Sequence, residues 1–363
     1  MEENLILCAA ADGGKSLPDS EDFAFLRDLG LIKTDGEIEK LTVAGLLFVG
    51  KQSSISRLLP SAEVIYLHYS ADNLEEYDAR LDMRQPIVSV LDRLTEIIQN
   101  DNRIVNVQIG LFRLEIADFS EKVFQEALLN AMSHRDYQSM SAVYVKHYPD
   151  KIVIENPGGF LDGITEKNII THPSAPRNKL IAETLQHLKY VQRTGQGVDI
   201  IYREMVSMGK PYPEYHVFSD AVSLTLRSSV EDMSFVKFVV AEQEKKQIIL
   251  SLAELMILRY VTENKQIKLS DAKDPVQLSL EDTRKCCLNL VKLGLIETVG
   301  KEYMLTARVY EMVKSDVQYT RDKVVQYIKA EQQARATIDK MRKENIIDMI
   351  GKGKSSKYVL VKS

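Results

Sequence analysis

The chain has 363 residues, of which 45% are hydrophobic and 27% charged, so packed globular domains are expected and a disordered chain is excluded. The formal net charge of -5 argues against a protein that coats nucleic acid or membrane along its whole length, while leaving room for a local basic surface. The three cysteines, Cys8, Cys286 and Cys287, have no CxxC spacing, so zinc clusters and a disulfide framework are excluded and a reducing, cytoplasmic location is expected.

No apolar run reaches the ~18 residues of a membrane span. Acidic residues precede Leu5-Ile6-Leu7 where a secretory signal would be basic.

Four segments are expected: 1–116, an α/β segment leading into a sandwich; 117–230, the core carrying the chemistry; 236–310, a first helix-rich module; and 316–363, a shortened repeat of it. In the first, Ser20 to Leu29 reads as a helix ended by Gly30, Thr42 to Val49 is apolar nearly all round, and Val64 to Tyr69 reads as a strand. Pro86 to Ile98 has helical apolar spacing at Ile87, Val90, Leu91, Leu94 and Ile97.

In the second segment, Asp118 with Glu121 three residues later resembles a capping box opening a helix that runs to about Ser133. Strands are expected at Val143 to Tyr148 and Ile152 to Glu155, joined by Pro149-Asp150. Asn156-Pro157-Gly158-Gly159 should end the second strand. A helix is expected at Asn178 to Leu188. Gly195-Gln196-Gly197 then opens an amphipathic helix carrying Val198, Ile201, Tyr202 and Met205, and Val222 to Leu226 is a last strand.

The third segment offers helices at Leu252 to Glu263 and Ser279 to Leu293, then a small hairpin, the order of a winged helix-turn-helix. The order partly recurs with helices at Arg321 to Ile328 and Ala334 to Glu344 and a wing over Ile346 to Val361.

The constellation richest in chemistry is Glu126-x-x-x-Asn130-x-x-x-His134-Arg135. Steps of four align Glu126, Asn130 and His134 along one helix face. A carboxylate and an amide there suit a hydrated magnesium ion carrying phosphates, with Glu126 orienting or deprotonating a water. The plainer alternative is a solvated face of an amphipathic helix. Gly158-Gly159 and Gly195-x-Gly197 allow close backbone approach, and the latter sits at a helix N-terminus, where phosphate is favoured; a tight turn and a helix link are the plainer alternatives. Ala9-x-x-x-x-Gly14-Lys15-Ser16 fits the loose phosphate-loop pattern, but Pro18 stands where that loop needs its helix.

Glu126 to Tyr137, Asp150 to Gly159, Arg177-Asn178 and Arg193-Thr194-Gly195-Gln196-Gly197 follow one pattern. It resembles the ATP-binding, GHKL-related (HATPase-type) domain of bacterial transcriptional regulators, labelled as related to the C-terminal part of the RecG helicase and usually paired with an Alba-like DNA-binding domain, which is not recognisable here. The likeness covers about Phe23 to Leu226.

It implies an α+β protein: a Bergerat-like α/β sandwich with a mixed sheet, followed by C-terminal winged helix-turn-helix domains. It further implies ATP or a related nucleotide with magnesium as ligands, Glu126 as hydrolytic base and Asn130 as magnesium ligand. Nucleotide-binding candidates are Asn130, His134, Arg135, Asn156, Gly158, Gly159, Arg177, Gly195 and Gly197. The chain departs from the wider superfamily where Asn156 replaces an adenine-reading aspartate and where Pro157 breaks the glycine spacing.

For double-stranded DNA the candidates are Thr283, Arg284 and Lys285 at the start of a recognition helix, and Lys340, Arg342, Lys343, Lys352, Lys354 and Lys357 in the terminal module. The reading that follows is a cytoplasmic, nucleotide-sensing, DNA-binding transcriptional regulator acting as a homodimer. An ATP-hydrolysing enzyme acting on DNA and a scaffold with a vestigial nucleotide site stand as alternatives, weak ATP hydrolysis being the one enzymatic activity expected.

Overall fold

The computed structural model describes residues 20–35, 38–71, 76–109, 112–161, 163–173, 175–190, 197–313, 347–350 and 357–360. The chain forms two compact units, Met1–Glu231 and Asp232–Ser363.

The first unit opens with α1 (Ser20–Asp28), the hairpin β1 (Ile32–Asp35) and β2 (Ile38–Leu41), then α2 (Val43–Val49) and α3 (Gln52–Leu58). The apolar run expected to be buried is α2, started by the Thr42 hydroxyl accepting from the Gly45 amide. There follow β3 (Val64–His68), β4 (Ala79–Met83), α4 (Ile87–Asn100), the hairpin β5 (Ile104–Ile109) and β6 (Phe112–Ala117), and α5 (Glu121–His134). Then come β7 (Val143–His147), β8 (Lys151–Pro157), α6 (Lys179–His187), α7 (Gly197–Ser207), β9 (Glu214–Val217) and β10 (Ala221–Arg227).

One mixed sheet of six strands, ordered β4-β3-β7-β8-β10-β9, organises the unit. The β3–β7 pair is parallel and the others antiparallel. Alternate residues of a strand face opposite sides. Val64 and Tyr66, Val143 and Val145, Ile152 and Ile154, and Leu224 and Leu226 accordingly enter one buried core with Phe124, Ala127, Leu128 and Ala131 of α5. Ile65, Leu67 and Tyr69 form a separate cluster against Tyr144 and Tyr148. Residues on both sides of position 117 thus share one sheet and one core.

Two local expectations are corrected. Asp118 does not cap α5: the helix starts at Glu121 after Ser120, and the Asp118 carboxylate pairs with Arg103 at 2.6 Å. Nor does β8 stop at Glu155. It runs through Pro157, whose place opposite Ala221 at the strand end needs no donor.

The second unit begins with α8 (Met233–Lys246) and α9 (Leu252–Asn264), the latter opened by a capping box between Ser251 and Glu254. β11 (Gln266–Lys268), α10 (Leu269–Val276), α11 (Leu280–Lys292), β12 (Ile296–Val299), β13 (Glu302–Leu305) and α12 (Ala307–Val313) follow. A three-stranded sheet, β11-β13-β12, closes this part. The Asn289 amide of α11 donates to Glu254 at 2.6 Å, tying α11 to the cap of α9. Gly300, at φ +64°, turns the chain between β12 and β13. Of the terminal module, a two-stranded pairing of β14 (Ile347–Ile350) with β15 (Lys357–Leu360) lies within the described residues; both helices expected there, Arg321 to Ile328 and Ala334 to Glu344, lie outside them.

A buried histidine makes the first unit sensitive to acid. His147 is 2% exposed, its Nδ1 is 2.9 Å from the Tyr66 hydroxyl, and His68 and Phe119 pack edge-on against its ring. Burial, the largest cause, pulls its pKa from 6.5 to about 4. The unfolded chain therefore binds the proton first, and stability falls as pH drops from about 6.5 to about 4. His147→Gln is expected to remove about 3 kcal/mol of acid destabilisation across that window, read from urea unfolding at pH 7 and pH 4.5.

Candidate functional site

Helix α5 places the site because its four-residue steps hold in the structure. Glu126, Asn130 and His134 all line one cavity of about 410 Å³. The end of β8 supplies Asn156, Gly158 and Gly159 to the same cavity, the segment before α6 supplies Arg177, and the start of α7 supplies Gly197. Eight sequence-derived candidates thus converge. Gly195 lies outside the described residues.

The glycines are required by contact. Gly158 has φ +107°, and a Cβ there would stand 3.1 Å from the Asp136 nitrogen and 3.3 Å from Arg177 Nε. A Cβ on Gly197 would run into the Glu126 carboxylate and come within 3.0 Å of Asn130 Nδ2. The first residue of α7 therefore lies directly against the two polar side chains of α5.

Polar groups around the cavity fall into two sets. Arg177 is committed to the framework: its Nε donates to the His134 carbonyl at 3.1 Å and a terminal nitrogen donates to the Gly159 carbonyl at 2.8 Å. Asn130 Nδ2 and Asn156 Oδ1 are buried and make no hydrogen bond. Glu126 is 8% exposed. Burial raises its pKa, and the neighbouring Asn130 amide pulls the other way. His134 is held below its ordinary value by burial first and by the Arg177 charge second, which keeps the imidazole neutral.

Arg135 is a correction. Its side chain is 1% exposed and turns away from the cavity to donate to the carbonyls of Ser61, Glu63 and Ser141. One residue along a helix is a rotation of about 100°, so adjacency to His134 does not put Arg135 on its face. Asp199, Phe160 and Tyr215 also line the cavity and were not singled out from sequence. The spacing of Asp199 from Gly197, within one helical turn, was the available signal for that residue.

In the second unit Arg284 and Lys285 are exposed on α11, with Lys285 held by Asp282 at 3.0 Å and Glu281 at 3.3 Å. Thr283 is corrected: it is fully buried, and its hydroxyl donates to the Ser279 carbonyl at 2.8 Å. Lys340, Arg342, Lys343, Lys352 and Lys354 lie outside the described residues, and Lys357 opens β15 opposite Ile350.

Residues 141–226 match the family model described as "Putative ATP-dependent DNA helicase recG C-terminal". This span holds Asn156, Gly158, Gly159, Arg177, Gly195 and Gly197, while the Glu126, Asn130 and His134 face lies just before it. Residues 7–65 match a domain of unknown function, DUF8451.

The solved structure of the DIP2311 protein from Corynebacterium diphtheriae superposes at a TM-score of 0.67 and 20% identity, covering 82% of this chain. The likeness shows a shared fold, and the chain spans 60% of the length of that protein. Ligand-free NadR aligns over 29% of this chain and 72% of its own at 13% identity and a TM-score of 0.18, too low to imply a common fold. No curated protein matches the chain.

Two stability measurements separate framework from site. Arg135→Met should lower the unfolding free energy by about 3 kcal/mol or more, since three carbonyls lose a charged donor, seen as an earlier urea midpoint. Glu126→Gln should act in the opposite direction. Because Glu126 keeps its proton in the folded state above the ordinary value of 4.5, folding loses stability as pH rises past that value. The glutamine variant should therefore melt higher than the parent at pH 7.5, with the difference vanishing near pH 4.

Proposed function

We propose that the first unit is a nucleotide-binding domain and that the protein couples nucleotide occupancy to DNA binding by the second unit, as a transcriptional regulator. The observation that carries the reading is the convergence of Glu126, Asn130, Asn156, Gly158 and Gly197 on one cavity with two unpartnered buried polar atoms. A site built to receive a polar ligand leaves such atoms unsatisfied when the ligand is absent. The family match over residues 141–226 supports the same ligand class.

The donor set also fits magnesium. Hard oxygen ligands are present in Glu126, Asn130 and Asp199, and among the described residues no group of three carboxylates, histidines or cysteines would hold an ion unaided. That suits an ion brought in by phosphates and completed by water, with Asn130 as the protein ligand. Such an ion supplies neutralisation of phosphate charge. Glu126, held buried with a raised pKa, favours a second reading in which it accepts a proton from a water attacking the nucleotide.

For the second unit, the order α9, β11, α10, α11, β12, β13 supports a winged helix in which α11 enters the major groove and the β12–β13 turn, with Lys301 exposed, meets phosphate. Arg284 is then the foremost base or phosphate contact. A homodimer on two half-sites completes the proposal.

A thermal-shift series with ATP, with and without magnesium, tests the nucleotide reading. The parent midpoint should rise with ATP and rise further with magnesium, and Asn130→Ala should abolish the magnesium-dependent part. Unchanged midpoints in the parent would remove the reading. Glu126→Gln should lose any hydrolysis and keep binding. DNA affinity should fall steeply with salt and weaken on Arg284→Ala; a salt-independent interaction would argue instead for a protein partner.

A further inference from the structure

We infer that the hairpin of β5 and β6 is the dimerisation arm of the protein, its β5 edge pairing antiparallel with β5 of a second copy of this chain across a two-fold axis. The inference names the interface of the homodimer proposed above. It rests on that part of the reading and is independent of what the cavity binds.

The hairpin is firmly mounted. At its base the Asn102 side chain donates to the Phe119 carbonyl at 2.6 Å and accepts from the Phe119 amide at 2.8 Å. The Asp118 amide donates to the Arg103 carbonyl at 2.8 Å, and the two side chains form an ion pair at 2.6 Å. The buried Lys210 ammonium donates to the carbonyls of Ala117 and Asp118, and Ile116 is buried. Beyond this base the ribbon is bare. Among the described residues β5 and β6 pair only with each other. Ile104 and Val105 are 56% and 55% exposed, and Val107 is exposed with them. Neighbouring residues of a strand face opposite sides, so apolar side chains meet water on both faces. Two strands alone are marginal in water, and three or more with a shared apolar face are needed for stability. The anchorage therefore presents a ribbon that its own unit leaves open.

The composition of β5 identifies what covers it. An exposed edge strand is ordinarily guarded by charge or by proline. Ile104-Val105-Asn106-Val107-Gln108-Ile109 contains neither. Such a strand offers no cation to a phosphate backbone and no counter-charge to a charged peptide. It suits its own copy. Antiparallel pairing about a two-fold axis brings residues near the axis close to their own counterparts, where like charges would repel. In β5 there are no charges to repel. The register sets Val105 opposite Ile116 and Val107 opposite Leu114, so these four share one aliphatic face of the ribbon. A two-fold axis perpendicular to the ribbon keeps that face on one side. Two ribbons then become a four-stranded sheet with one continuous aliphatic face, above the size at which a sheet is stable by itself.

Val107→Asp and Val107→Lys test this in the full chain, by sedimentation across a protein concentration series. The parent should be a dimer. Each variant alone sets like charges against each other near the axis, and its dimer dissociation constant should rise by roughly tenfold or more. An equimolar mixture of the two variants should recover the dimer, because opposite charges then face each other, and high salt should weaken that recovery. Far-ultraviolet circular dichroism matching the parent shows that each variant is folded.

A parent that stays monomeric at every concentration would overturn the homodimer and this inference with it. Parent-like dimers in both Val107 variants would overturn the hairpin interface and leave the homodimer standing. Folded variants that lose the dimer and do not recover it on mixing would overturn the pairing of β5 with its own copy.

Discussion

Helix α5 ends inside the protein, and its last four carbonyl groups have to be satisfied there. A helix C-terminus leaves four such groups without helical partners. Here each has a donor. The Tyr137 hydroxyl reaches the Met132 carbonyl at 3.3 Å, the Asn178 backbone and side chain both reach that of Ser133, Arg177 reaches that of His134, and the Asn178 side chain reaches that of Arg135. The Arg177-Asn178 pair thus joins the end of α5 to the start of α6, while Arg177 also grips the Gly158-Gly159 turn through the Gly159 carbonyl. The walls of the cavity are set by this one arrangement, and Arg135 anchors the same turn of chain to the segment before β3.

With the helix end fixed, the upstream turns of α5 are free to carry groups that the framework does not use. Glu126, Asn130 and Asn156 are all placed against apolar neighbours, and two of the three present atoms without partners. The contrast with Lys210 is informative. It is also buried, and burial lowers its pKa to about 8, yet its ammonium donates to the Ala117 and Asp118 carbonyls and so serves the framework. Burial alone does not distinguish a site residue; burial without a partner, beside a cavity, does.

Much of the site was legible in the sequence because a helix repeats every 3.6 residues and steps of four stay on one face. That rule found Glu126, Asn130 and His134 together. The same rule explains the two misplaced residues. Arg135 departs from the face by one residue. Thr283 belongs to the buried stripe Thr283, Cys287 and Leu290, whose spacing of four and three marks the inward side of α11. The strands β1, β2, β4, β5, β6, β9 and β11 have no clear signal in the sequence, since segments such as Ala79–Met83 and Glu214–Val217 mix charge with apolar residues and acquire their conformation from pairing with a neighbouring strand. Tyr215 reaches the cavity from β9 and Phe160 from the loop after β8, where no local period announces them.

The parallel pairing of β3 with β7 has a bearing on how the protein comes into being. Val64–His68 and Val143–His147 lie side by side, yet more than seventy residues of chain separate them, and β8 and β10 are nearly as far apart. Contacts of this span are slow to form, because the entropy of closing the loop is lost before any contact repays it. The helix bearing Glu126 is a local structure that can appear early. The cavity it faces takes Ile154 and Asn156 from β8 and Val222 and Leu224 from β10, so it needs the second of these closures, and ligand competence should be among the last properties acquired by the newly made chain.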